Sequence, residues 1–218
     1  MDLGLKGRRA LVSSASRGLG LAAARSLARE GVDVVMNART LGPLEEAAAA
    51  IRADFGVQAV PVAADFNTTE GRAAILAAAG EVDILVNNPG VRQVPTPSAQ
   101  ITAEDWRYWL DVHFLSSIEM IQAVTPGMVA RRFGRVVNMS VSFIKFPQVG
   151  FAHSHAARVA LSGAVAAMVR ELMPHNVTIN TVCPGLFDTD ALHTNLHGHA
   201  KRGNTTYEAI VQNRLQGC

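Results

Sequence analysis

Ala10-Leu11-Val12-Ser13-Ser14-Ala15-Ser16-Arg17-Gly18-Leu19-Gly20 is the stretch on which the fold turns. A short apolar run ends in a turn of small residues, and Leu21 to Glu30 then repeats its apolar positions at helical spacing. Strand, glycine-bearing turn and helix in that order bring backbone N–H groups to a helix N-terminus, where they meet a pyrophosphate. Gly18 and Gly20 permit close backbone approach and close helix packing, while Ser14 stands where the first glycine of such a turn is expected. A serine serves there only with ordinary backbone angles; otherwise the turn is strained and nucleotide affinity suffers. Ordinary turns also contain glycine, so the surrounding pattern has to decide.

Outward from this turn, apolar runs at Val32 to Met36, Ala59 to Ala63, Ile84 to Val86, Arg135 to Met139 and Val177 to Val182 predict five further strands. Helical periodicity over Leu44 to Phe55, Thr69 to Ala79 and Ser154 to Leu172 separates them. Thr102 followed by Asp105 reads as a capping box for a helix that turns Trp106, Trp109, Leu110 and Phe114 toward the core. Strands alternating with helices of this length predict an α/β chain, a Rossmann-like doubly wound parallel sheet with helices on both faces. Right-handed crossovers then place the C-terminal strand ends along one edge, where ligands sit. Pro184-Gly185 follows the sixth strand, Thr206 to Gln216 is a helical candidate, and no seventh strand follows. The expectation is one domain over 1–218, with 186–218 covering the substrate and a C-terminal strand lying beyond the sequence given.

At 218 residues, 49% hydrophobic and 17% charged, the composition excludes a disordered or collagen-like chain. Twenty basic against 18 acidic residues give a formal charge of +2, and neither sign forms a block, so no nucleic-acid partner is expected. Arg, Glu and Asp interrupt the alanine-rich stretches, so no membrane span is expected either. Cys183 and Cys218 make no disulfide framework, and a reducing cytoplasm is the expected location.

The end of the second predicted strand tests cofactor choice. An NAD-selective site places Asp or Glu there for the ribose hydroxyls, and this chain has Met36-Asn37-Ala38-Arg39. Arg39 can pair with a 2′-phosphate, Asn37 can hydrogen-bond to it, and Arg17 can add a second charge. The residues therefore favour NADP(H) over NAD(H), against the plainer reading of two solvent-facing arginines.

Together with this turn, Asp65-Phe66, Asn87-Asn88-Pro89-Gly90, Asn138-Met139-Ser140 and Pro184-Gly185-Leu186-Phe187-Asp188-Thr189 resemble the short-chain dehydrogenase/reductase family, and are similar to its 3-oxoacyl-(acyl-carrier-protein) reductase-like members. The resemblance implies that Ser13, Ser14, Ser16, Arg17, Gly18, Leu19 and Gly20 hold the cofactor, with Phe66 beside Asp65 and Asp65 on the adenine amine. It implies Asn88 and Gly90 along the adenosine, with Pro89 where alanine is usual, and Pro184, Gly185 and Thr189 at the nicotinamide end. It also implies a homodimer or homotetramer, and the family's last strand has no match here.

The chemical positions depart from the family. The resemblance puts Ser154 at the expected tyrosine, Arg158 at the lysine that binds nicotinamide ribose, His113 at the asparagine, and Val141 at the serine, flanked by Ser140 and Ser142. Arginine keeps its charge and shuttles no proton, and a serine hydroxyl lacks phenol acidity. Ser140 and Ser142 point the same way if the strand continues past them. His113, His153 and His155 are expected to crowd the cleft mouth, although each serves equally well as a structural residue. Histidine is the usual acid/base near neutral pH, and His155 shares a helical face with Arg158, whose charge would keep it neutral as a base. Val94 and Phe146 would supply apolar contact to the substrate, Ser142 and His155 polar contact. His193, His197 and His199 are read as a loop over the substrate, with no metal, and Cys183 as packing. Two functions follow: an NADP(H)-dependent oxidoreductase acting on a small carbonyl or alcohol, or a catalytically silent nucleotide-binding homologue with a regulatory or assembly role.

Overall fold

The computed structural model describes residues 2–90, 95–185, 187, 189–203 and 205–216. Strands and helices alternate as β1 (Arg9–Val12), α1 (Gly18–Arg29), β2 (Asp33–Ala38), α2 (Leu41–Phe55), β3 (Ala59–Ala63), α3 (Thr69–Ala79) and β4 (Ile84–Asn87). They continue as α4 (Ala103–Leu110), α5 (Ser116–Ala130), β5 (Gly134–Met139), α6 (Ala152–Leu172), β6 (Val177–Val182), α7 (Asp190–Arg202) and α8 (Tyr207–Gln216). The six strands pair in parallel in the order β3-β2-β1-β4-β5-β6. Strand order reverses between β1 and β4, and in open α/β sheets the ligand crevice lies outside the strand ends at that reversal.

Alternation along each strand explains the layers. Leu11 lies in register with Val35 and Leu85, and all three pack with Ile75 of α3, Met120 and Ile121 of α5, and Leu161 of α6. Their neighbours Ala10, Val12, Val34 and Met36 face the opposite side, against Ala24 and Ala28 of α1 and Leu44, Ala48 and Ile51 of α2. A strand buried on both faces shows no polar alternation, which is why the strands read as short apolar runs.

The connections differ more from expectation. The Thr102–Asp105 capping box is present, but α4 runs through a π-helical turn, Asp111–Leu115, into α5, which the sequence reading had not resolved. α1 begins at Gly18, so the glycines form its first turn. The segment read as a histidine-bearing loop is helix α7, with Leu192, Leu196 and Ala200 at four-residue spacing and the last two buried. Residues 1–183 and 184–218 form two compact units. No helix among the described residues is long and apolar enough to cross a membrane.

Two arginines among the described residues are buried, and Arg72 is one of them. From α3 its Nε donates to Glu119 of α5 at 2.7 Å, and its Nη1 donates to the Phe66 carbonyl at 3.0 Å. Arg72→Met strands that carbonyl and unpairs Glu119, with an expected loss of roughly 1–3 kcal/mol. A lowered urea midpoint at constant slope is the readout; an unchanged midpoint would show the pair adds nothing.

Candidate functional site

The β1–α1 turn is clamped across three strands. Ser13 Oγ donates to the Val86 carbonyl at 3.2 Å and accepts from the Asn88 N–H at 2.6 Å. Ala15 N donates to the Asn37 carbonyl at 2.8 Å. Gly18 is left-handed at φ +58°, and the space where a Cβ would stand is open. Gly20 lies so close to the turn that a Cβ would sit 2.2 Å from the Ser14 carbonyl oxygen. Arg17, extended at φ −163°, precedes α1 without a side-chain cap, and the first turn carries no acidic residue. The leading N–H groups of α1 therefore keep their affinity for an anion, and the turn fits a pyrophosphate.

Several expected contacts are revised. Ser13 spends its hydroxyl on β4. Asn37 is buried and gives both amide hydrogens to the Val62 and Ala64 carbonyls, at 3.0 and 2.9 Å, so it braces β2 against β3 and has no donor left for a phosphate. Ser14 sits at φ +51°, outside the ordinary region its substitution for glycine required, which costs a residue with a Cβ about 1–2 kcal/mol. Phe66 belongs to the core, and Asp65 Oδ1 accepts from the Asn67 N–H at 3.0 Å. Arg17 and Arg39 are exposed; Ser16, Leu19 and Asn88 are half-buried; Pro89 is buried, and Gly90 is at the surface. Pro184, Gly185 and Thr189 belong to the second unit, where Thr189 Oγ1 accepts from Leu192 N at the start of α7.

At the ends of β4 and β5 lie an asparagine pair and, around Arg158, a polar cluster. Asn87 Nδ2 donates to Asn138 Oδ1 at 3.0 Å between the two strands. Arg158, on α6, is 8% exposed; its Nε donates to Ser154 Oγ at 3.4 Å, its Nη1 to the Met139 carbonyl at 3.4 Å, and its Nη2 lies 3.3 Å from His113 Nε2. A guanidinium only donates, so His113 Nε2 accepts and the ring proton is assigned to Nδ1. Burial first, then the Arg158 charge, pushes His113 well below the ordinary histidine pKa of 6.5, and burial also lowers His153. Burial brings Arg158 down to about 10, leaving it a cation at neutral pH. Trp109 is the shared platform: His113 stacks on it at 5.3 Å and His153 meets it edge-on at 4.9 Å.

Arg158 meets His113, a contact that the helical face shared by His155 and Arg158 did not anticipate. His155 is half-buried, and its Nδ1 has no partner. The strand stops at Met139, Val141 is still extended at φ −147°, and Ser142 opens a 3-10 turn. Ser140 is buried with its Oγ unpartnered, whereas Ser142 is half-buried. Phe146 is 75% exposed, and Val94 lies outside the described residues. His193 and His197 stack on Tyr207 of α8 at 6.0 and 4.4 Å, and His193 Nδ1 lies 2.6 Å from its hydroxyl, so both rings hold the α7–α8 pair; the His199 side chain is outside the described ones. Surface clefts of about 270 and 310 Å³ lie on the α3–α5 and α5–α6 faces, away from the strand ends. The sequence reading missed the Trp109 platform, whose signal was its four-residue spacing from His113, and the π-helical turn, which has none.

The family model described as short chain dehydrogenase matches residues 8–199. A 3-oxoacyl-(acyl-carrier-protein) reductase of Vibrio cholerae is 33% identical over 193 residues, 86% of this chain and 77% of that protein. The L-sorbose reductase of Gluconobacter frateurii, solved with NADPH and L-sorbose, superposes with a TM-score of 0.89 at 27% identity, over 98% of this chain and 82% of its own. A 7α-hydroxysteroid dehydrogenase complexed with NADH gives 0.81 at 25% identity, over 89% of this chain and 78% of its own.

The turn and the cluster each yield an expectation. A Cβ at Gly90 would lie 2.6 Å from Ser14 Oγ, so Gly90→Ala is expected to destabilise the parent protein and to be tolerated after Ser14→Gly. In a double-mutant cycle the coupling should be about 1 kcal/mol, and additive effects would refute the contact. His113 is neutral when folded and titrates near 6.5 when unfolded, so its contribution is whole above pH 6.5 and is lost as pH falls below it. The slope is up to about 1.4 kcal/mol per pH unit. His113→Asn should flatten stability between pH 6.5 and 5 in urea titrations; an unchanged slope would show that His113 takes no part.

Proposed function

The chain belongs to the short-chain dehydrogenase family, and on that premise we propose that it is an NADP(H)-dependent oxidoreductase moving hydride between nicotinamide and the carbon of a small carbonyl or alcohol substrate. The observation that carries this reading is the uncapped N-terminus of α1, held against the end of β4 at the strand-order reversal, with the Arg158 cluster beyond the same edge of the sheet. The N–H groups of Gly18, Leu19 and Gly20 bind the pyrophosphate, with Ser14 and Ser16 lining the turn. Exposed Arg39, at the end of β2 where no carboxylate stands, pairs with a 2′-phosphate, and Arg17 adds charge. Asp65, Asn88, Pro89 and Gly90 border the adenosine.

When bound, nicotinamide gives or takes the hydride. The substrate oxygen needs a hydrogen-bond donor, a stabilised negative charge and a proton. Ser154 Oγ accepts from Arg158 Nε, which leaves its own O–H to donate to that oxygen, and the Arg158 guanidinium stabilises charge there. Neither group is an acid at neutral pH, so the proton passes through a histidine, with His155 and His153 offering unpartnered Nδ1 atoms on the same turn of α6. His113 accepts from Arg158 and orients it. Small-molecule substrates and assembly as a homodimer or homotetramer belong to the same reading.

Absorbance at the nicotinamide band over a panel of ketones, aldehydes and alcohols tests this reading, together with cofactor titrations of Arg39→Asp. Turnover with NADPH is expected, and Arg39→Asp should lower the NADP/NAD affinity ratio by about tenfold or more, since attraction becomes repulsion. Nucleotide binding without turnover across the panel would overturn the enzymatic reading, and an unchanged ratio the role of Arg39.

A further inference from the structure

We propose that Arg158, with the buried Ser140 hydroxyl one residue beyond its Met139 contact, forms an anion subsite, and that the substrate reaching it carries a carboxylate. From the oxidoreductase reading this takes only the premise that a substrate enters here.

The two buried arginines make the contrast. Arg72, 7% exposed, has Glu119 at 2.6 Å. Arg158, 8% exposed, has no carboxylate within ion-pair distance among the described residues. Its contacts are a hydroxyl, a carbonyl and a histidine nitrogen at 3.3–3.4 Å, all neutral and near the limit of a hydrogen bond. A buried cation without a counter-charge keeps a desolvation cost of several kcal/mol that an arriving anion offsets. Contact with ribose hydroxyls would satisfy its N–H groups while leaving its charge unpaired.

A second observation points to the same ligand. Ser140 directly follows Met139, whose carbonyl meets Arg158, and Ser140 Oγ is buried without a partner. A buried hydroxyl that lacks an internal acceptor, one residue along the chain from a guanidinium contact, has its hydrogen left to donate to an anion. The charge count selects its class. His113 and His153 are held neutral, so the cluster supplies one positive charge, enough for a carboxylate and poor for a phosphate dianion. The planar guanidinium also matches a carboxylate's two oxygens. Cys183 is the one neighbour whose ionisation favours the Arg158 charge, and a thiol supplies a counter-charge only when deprotonated.

Both tryptophans of the chain touch this cluster, Trp106 against His153 and Trp109 against His113, so their fluorescence reports occupancy. The probe is sodium acetate, titrated beside acetamide and inorganic phosphate at constant ionic strength. Acetate is expected to give a saturable change and acetamide none, with phosphate weaker than acetate. Arg158→Gln should weaken acetate by about tenfold or more and Ser140→Ala several-fold, while Cys183→Ala leaves it in place. The Ser140 variant keeps the test decisive should Arg158→Gln fail to fold. Equal response to acetamide, tighter binding of phosphate, a full acetate response in folded Ser140→Ala, or its loss in Cys183→Ala would overturn the subsite. Acetate binding without any NADPH turnover would sink the oxidoreductase reading alone. Turnover of neutral ketones with no acetate response would sink the subsite alone.

Discussion

The Ser13 hydroxyl holds the place where the sheet changes direction. It donates to the Val86 carbonyl and accepts from the Asn88 N–H, joining the end of β1 to the end of β4. Nucleotide-binding geometry in a doubly wound sheet depends on this junction, because α1 must start above it with free N–H groups. With Ser13 fixed, the Ala15 N–H reaches the Asn37 carbonyl of β2, Gly20 packs against the Ser14 carbonyl, and the left-handed Ser14 turns the chain into the helix. The strain at Ser14 is local, and bonds on three strands hold it.

The same junction explains which parts of the fold were legible. The edge strands β3 and β6 fall where the residues placed them, and α3 does too, because Thr68 and Gly80 bound it as chemical stops. Helix α7 was hidden because His, Thr, Asn and Gly outnumber its apolar residues. Its core stripe of Leu192, Leu196 and Ala200 is narrow, and propensity yields to packing when even two residues on one face are buried. The passage from α4 to α5 was hidden for another reason. A π-helical turn is an extra residue accommodated in a continuous helix, and nothing in Asp111–Leu115 marks it as other than α-helical.

Site residues were legible as a set and misread as pairs. The resemblance brought His113, Ser154 and Arg158 together, and Arg158 does contact the other two. Which histidine faces Arg158 was decided by the π-helical turn, which places His113 over Trp109 and under the guanidinium, and helical spacing from Arg158 could not supply that. Asn37 was misread for a related reason: a polar residue at a strand end serves a ligand only if the backbone has not already claimed it. The ends of β3 offer two carbonyls that need donors, so the amide turns inward and Arg39 alone remains outside.

Charge in the interior gives Arg158, His113 and Ser154 a common logic. A buried arginine brings a planar cation with five N–H donors, and those N–H groups need acceptors. An asparagine offers one acceptor oxygen but also donors that compete for space; a neutral histidine stacked on tryptophan offers a lone pair in a fixed direction. The short Ser154 side chain lets the guanidinium approach its Oγ while another arm reaches the Met139 carbonyl. The result is a cationic group held at three points by neutral partners, so its charge is directed by the protein and neutralised by none of these contacts. Arg72 shows the other outcome within the same fold, where a carboxylate from the neighbouring helix closes the pair and the arginine becomes purely structural.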